Sequence, residues 1–210
     1  MKLFFHLLYH QFAWSYDYVA AIVSAGSWNK WVYSASDYIK NGRTLELGHG
    51  PGHLQLHLMK LNKMNIFGLD SSKQMSKITA RRLRKHNSPL KLVLGNAKTL
   101  PYSSGCFDQV VSTFPSEYIF SYDTLSEIKR VLNPEGCILI LFQAQFTNNK
   151  LLSRLMDQLF RITGQFNEIT DLNQERLLEP FRKSGFDARI LSSSYAESRI
   201  FYILAEIPHS

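Results

Sequence analysis

From residue 43 onward the chain alternates short, nearly unbroken apolar runs with stretches whose apolar residues recur at helical spacing. That alternation narrows the fold more than any other feature. The runs are RTLEL (43–47), NIFGLD (65–70), KLVLG (91–95), DQVVST (108–113) and GCILILF (136–142). Strands that are apolar on both sides belong inside a parallel sheet with helices on each face. Between them, 53–62, 72–86 and 121–132 carry helical periodicity, as in Met75, Ile78, Thr79 and Leu83. Strand, helix, strand in repetition predicts an α/β, doubly wound, mostly parallel sheet. The last third departs from the pattern. KLLSRLMDQLFRIT (150–163) is amphipathic through Leu151, Leu152, Leu155, Met156 and Leu159, and NQERLLEPFRKSG (173–185) reads as a helix stopped by Gly185. Two β-rich runs, 186–193 and 199–207, follow with no helix between them. Strands joined so closely pair antiparallel, so the sheet is expected to end in a hairpin.

In open α/β sheets the ligand sits beyond the carboxyl ends of the strands, and the first strand-to-helix turn is where backbone approaches it. Here that turn is LELGHGPGHL (45–54), with Gly48, Gly50 and Gly52 in five positions and Glu46 just before them. A dinucleotide fingerprint needs glycine at position 53, where His53 stands, and no Gly-Lys-Ser/Thr follows, which excludes a P-loop. A carboxylate at this point is unfavourable beside a pyrophosphate, whereas it suits a ligand that carries an ammonium and a sulfonium.

These residues resemble the class I S-adenosylmethionine-dependent methyltransferases. ELGHGPG (46–52) is similar to their E/D-x-G-x-G-x-G. Asp70 in FGLDSSKQM (67–75), 24 residues after Glu46, matches G-x-D-x-S-x-x-M, whose acid accepts both ribose hydroxyl hydrogens. GNAKTLPYSSGCFDQVVSTF (95–114) and EIKRVLNPEGCILIL (127–141) resemble two further family motifs. The likeness spans residues 40 to 145 and implies a Rossmann-like fold with S-adenosylmethionine as cofactor. It also implies a cofactor site of Glu46, Gly48, His49, Gly50, Gly52, Asp70, Ser71, Met75, Asn96, Ala97, Thr113 and Phe114. Asn96 stands where the family has an aspartate that accepts from the adenine amino group, and an amide oxygen can still accept there. Asn133 and Glu135 replace a lysine and a glycine of a turn. The implied layout is one domain over 1–210: a helical cap at 1–40, a cofactor core at 41–145, and a helical insertion with the hairpin at 146–210.

After the fourth strand the chain reads TFPSEY (113–118), not the Asn/Asp-Pro-Pro-Tyr/Phe of amino-directed nucleic-acid methyltransferases. The wording of the motifs is most similar to the branch that includes ubiquinone and menaquinone biosynthesis methyltransferases, which implies a small, apolar acceptor. That branch often lays an aromatic N-terminal helix over the site, and HQFAWSYDYVA (10–20) is the segment for it. Tyr16, Glu117, Tyr118 and His53 are the polar residues to place near the methyl group, without an assigned base. The alternatives left open are a non-catalytic cofactor-binding regulator or partner subunit, and an RNA methyltransferase.

The net charge of +7, with pI about 9.4, requires a polyanionic partner to be weighed. The positives are scattered except in ARRLRKH (80–86), where Arg81, Arg82, Arg84 and Lys85 close a helical stretch and suit the negative end of its dipole. A solvated helix end is therefore expected, and a nucleic-acid partner is disfavoured. Cys106 and Cys137 lie far apart with no metal-ligand spacing, so no metal site is suggested, and a reducing cytoplasm fits. The first 26 residues are apolar, but His6, His10, Gln11 and Asp17 interrupt them short of the roughly 18 residues of a span. Phe4, Phe5, Trp14, Trp28 and Trp31 keep peripheral membrane contact in view.

Overall fold

The computed structural model describes residues 26–62, 65–147, 171–195 and 197–208. Most of the aromatic N-terminal segment, with Tyr16, and the stretch 150–163 lie outside the described residues. Seven strands form one sheet in the order β3-β2-β1-β4-β5-β7-β6. β1 (Thr44–Leu47), β2 (Ile66–Asp70), β3 (Leu92–Leu94), β4 (Phe107–Thr113) and β5 (Leu132–Phe146) run parallel. β6 (Asp187–Tyr195) and β7 (Ser198–Glu206) form the expected hairpin, and β7 lies antiparallel to β5. The order reverses between β1 and β4, the switch point at which such sheets place a ligand.

Helices cover both faces because the strands are apolar on both. α1 (Trp28–Ser34), α2 (His53–Lys60) and α3 (Lys73–Lys85) bury Trp31, Leu54, Leu58 and Leu83 against Val111, Leu139 and Leu141. On the other face α4 (Tyr122–Val131) and α5 (Asp171–Lys183) bury Leu125, Ile128, Leu177 and Phe181 against Val110, Ile138 and Ile140. Local chemistry sets the boundaries. Ser72 caps α3 by accepting from the Met75 N–H at 3.3 Å, and Ser121 caps α4 by accepting from Thr124 N–H at 3.3 Å. Gly185, in the left-handed region at φ 79°, follows α5.

β5 is longer than its apolar run. It starts at Leu132, opposite Phe107, and 133–136 loop out before pairing resumes at Gln109↔Cys137. Asn133 holds that loop by accepting from the Glu135 N–H at 3.0 Å and donating to Asp108 at 2.6 Å. At the other end β5 runs past β4 to Phe146, carried by its pairing with β7.

Candidate functional site

The glycine turn leaves the end of β1 at the switch point. Glu46, 1% exposed, sits beneath it and accepts from Gln55 Nε2 at 2.8 Å. Burial is the main reason its carboxyl is pushed up to about 8; the Gln55 bond opposes that, and the nearby Asp70 charge adds to it. At neutral pH the acid is therefore mostly protonated, and a cation placed beside it would draw the proton off. Asp70, 8% exposed at the end of β2, accepts from Gly50 N–H at 2.8 Å on one oxygen and from Ser72 N–H at 2.7 Å on the other. Each oxygen keeps acceptor capacity for a ligand hydroxyl.

Two glycines show what the turn requires. A Cβ at Gly48, φ 69°, would stand 2.7 Å from the Tyr118 hydroxyl, which itself donates to the Leu47 carbonyl at 3.2 Å. A Cβ at Gly50, φ 51°, would meet nothing within 4 Å, so the open side of the turn is there. The rest of the loop is braced from α3. Thr79 Oγ1 donates to Gly50 O at 2.7 Å and Arg82 donates to Pro51 O at 2.6 Å. One member of the basic cluster thus has a partner in the loop, in addition to closing a helix. Gly52 precedes α2 at φ 79°.

His49 is buried, with Nδ1 against Gly50 O at 2.9 Å and Thr79 Oγ1 at 3.3 Å, while Nε2 has no partner. Burial holds its pKa below the ordinary value, so the ring is neutral at pH 7. Ser71 is exposed, and Met75 is buried in α3. Asn96 is exposed, its Oδ1 accepting from Lys98 N–H at 3.0 Å, and Ala97 beside it is buried. The Asn96 loop is fastened from α4: Glu127 accepts from Leu100 N–H at 2.6 Å, and Arg130 donates to Tyr102 O at 2.7 Å and Leu100 O at 2.9 Å.

A cavity of about 30 Å³ lies between the turn and α1, bounded by Glu46, Gly48, Gly50, His53, Thr113 and Trp28 among others. Phe114 follows Thr113 with φ 48°, and its ring stacks on Trp28 at 4.3 Å. Positive φ in a bulky residue is strained, and such strain gathers where ligands bind. A larger cavity, about 330 Å³, lies at the opposite, amino ends of β1 and β2, lined by Lys40, Asn41, Asn62 and Asn65 among others. Ligands of open sheets sit at the carboxyl ends, so the smaller cavity marks the site. Of the polar residues considered for the methyl group, His53 borders it, Glu117 is exposed, and Tyr118 is tied to Leu47 and to Ser112 Oγ, at 3.3 Å. Among the described residues no group of three or more His, Cys, Asp or Glu is placed to hold a metal ion.

Gln55 and Trp28 were not legible as site residues. Gln55 is wholly buried one position from Leu54 on the apolar side of α2. A polar residue at a core-facing position was the available signal.

The fold and this cradle define a doubly wound domain shaped for a nucleoside ligand with a cationic end. Residues 45–140 match the family model described as a methyltransferase domain. A demethylmenaquinone methyltransferase of Lactobacillus johnsonii is 30% identical over 80% of this chain and 72% of its own length. Another, of Symbiobacterium thermophilum, is 33% identical over 64% of this chain, which spans only 57% of that relative. Among solved structures, an S-adenosylmethionine-dependent methyltransferase of Thermotoga maritima shares the fold with TM-score 0.64 at 18% identity, covering 97% of this chain and 99% of that one. The cyclase SpnF does so with TM-score 0.63 at 17% identity, over 87% of this chain and 80% of that one. The chain belongs to the class I S-adenosylmethionine-dependent methyltransferases, in the branch similar to the ubiquinone and menaquinone biosynthesis enzymes. Its cofactor is S-adenosylmethionine, and the residues present fit it: a neutral buried acid for the cationic end, Asp70 with spare lone pairs for the ribose, and open space at Gly50.

Proposed function

We propose that the chain methylates a small, apolar ring compound of the kind met in quinone biosynthesis. The observation that carries this reading is the Trp28–Phe114 stack at 4.3 Å on the rim of the cavity that also touches Glu46 and Gly50. It sets an aromatic wall beside the cofactor turn, and small-molecule sites are mostly apolar walls with a few polar groups. The relatives named for demethylmenaquinone support the same class. S-adenosylmethionine supplies an electrophilic methyl group on a sulfonium. Glu46, ionised once a cation is beside it, balances that end, and Asp70 accepts from the ribose. Trp28 and Phe114 keep water out, so the chain's contribution is mainly position and dryness. His53, at the first position of α2, is a polar side chain that borders the cavity. In this reading 1–40 cap the site, 41–145 hold the cofactor, and 146–210 complete the acceptor side. None of the described helices is long and apolar enough to cross a membrane.

The test is incubation with cofactor carrying a labelled methyl group, together with a bacterial lipid extract in one arm and total RNA in the other. Label in a reduced quinone or similar ring lipid is the expected result. Label in RNA would replace this reading with nucleic-acid methylation. Cofactor binding with no label in either arm would leave a cofactor-binding regulator.

A further inference from the structure

Gln143 is 1% exposed, and neither its amide oxygen nor its amide nitrogen has a hydrogen-bond partner. Leaving both ends of a buried amide unpaired is costly, and native proteins rarely do so without a ligand, a water or a functional reason. Its place in the sheet is unusual in a second way. The last bond between β4 and β5 runs from Phe114 N–H to Leu141 O at 2.7 Å, and there β4 turns away through Phe114, φ 48°, and Pro115. β5 continues, and at the same level its pairing with β7 slips by one residue, from Leu141↔Tyr202 to Gln143↔Phe201. A bulge of this kind re-aims a side chain, and bulges are enriched beside active sites. Two irregular backbones thus flank the carboxyl ends of β4 and β5, next to the crevice that holds ligands in open sheets.

We infer that Gln143 is the polar anchor of the acceptor site, its amide donating to and accepting from a neutral hydroxyl or carbonyl on the acceptor ring. This rests on the ring-acceptor reading above. A neutral group is implied because Phe142 and the cross-strand Phe201, which share the Gln143 face of the sheet, are apolar and buried, and a charge brought beside them would lose its hydration without a counter-ion. Arg199 lies over the Phe201 ring at 5.3 Å and is exposed, donating to Ser192 and not to the amide. An amide fits a hydroxyl well, since it can serve the proton and a lone pair of the same group. Gln143 would act as a positioning residue, fixing which ring carbon faces the methyl group.

The test uses two near-isosteric probes, 1-naphthol and 1-methylnaphthalene, titrated into the full chain saturated with S-adenosylhomocysteine. The wild type is expected to prefer the naphthol by about tenfold, the worth of one buried hydrogen bond. Gln143→Leu should lose that preference while melting at a higher temperature, because it removes two unpaired polar atoms, and it should bind S-adenosylhomocysteine unchanged. Gln143→Met, of similar length, serves if the leucine variant does not fold. Equal binding of the two probes by the wild type, or a preference that survives in the variants, would overturn the anchor alone, with a raised melting temperature then marking only a buried water site. Binding of neither probe by the wild type would take down the ring-acceptor reading and the anchor with it.

Discussion

Replacing Glu46 by glutamine should make the cofactor-free protein more stable, an unusual result for a residue of the binding site. The carboxyl is held near 8 in the folded chain against an ordinary 4.5. A group whose folded pKa is raised binds more protons in the folded state, so its contribution opposes folding increasingly as pH climbs from 4.5 and levels off above 8. At pH 7 the folded chain keeps a proton that the unfolded chain has released. The gap of 7 minus 4.5, at about 1.4 kcal/mol per pH unit, makes that opposition about 3 kcal/mol when no water enters. Glutamine has the same shape, is neutral throughout, and can still accept from Gln55. Urea denaturation of the two proteins should therefore coincide near pH 4.5 and differ by up to about 3 kcal/mol in favour of Glu46→Gln at pH 7. Binding should move the other way. If the cofactor's cationic end needs the carboxylate, wild-type affinity should rise close to tenfold from pH 6 to pH 7, about one pH unit below the folded pKa, with proton release that calorimetry in two buffers detects. The variant should bind more weakly and without that pH dependence. A variant less stable than the wild type at pH 7, or a wild-type affinity flat between pH 6 and 7, would refute the reasoning.

Gly50→Val should abolish cofactor binding and leave a normal circular-dichroism spectrum, since its Cβ enters open space and its backbone must hold φ 51°; retained binding would mean that the loop only turns. Arg130→Ala removes the donor that ties Leu100 and Tyr102 to α4 and leaves Glu127 without its main partner, and should lower stability by about 1.5 to 3 kcal/mol in denaturant. Because the Arg130 bond holds the Glu127 carboxyl below its ordinary pKa, that difference should be fully present at neutral pH and shrink as acid protonates Glu127.

Much of the sheet was legible because parallel strands buried on two faces announce themselves as apolar runs, and each of the five runs up to residue 142 lies within or across a strand. The hairpin was legible from the missing helix. What pattern could not supply was side-chain direction. His49 occupies a loop position yet turns its ring toward Thr79, and Tyr118, grouped with residues near the methyl group, has its hydroxyl on the Leu47 carbonyl. The length of β5 was also hidden, because its extension depends on β7, some sixty residues later, and its start lies across a looped-out turn. Gln143 reads in sequence as the polar end of an apolar run; only its burial and its unpaired amide set it apart.

The measurement that bears most directly on the cofactor cradle is a binding cycle between Asp70 and the ribose. Asp70 also accepts from Gly50 and Ser72 N–H, so Asp70→Ala alone would mix loop loosening with lost ligand contact. The cycle separates them: S-adenosylhomocysteine and its 2′,3′-dideoxy analogue are each titrated into the wild type and into Asp70→Ala. The wild type should prefer the hydroxylated ligand by about 1.5 to 3 kcal/mol, the worth of hydrogen bonds to a charged acceptor, and the variant should lose most of that preference. The same preference in both proteins would contradict the assignment of Asp70 to the ribose, and with it the placement of the cofactor across the ends of β1 and β2.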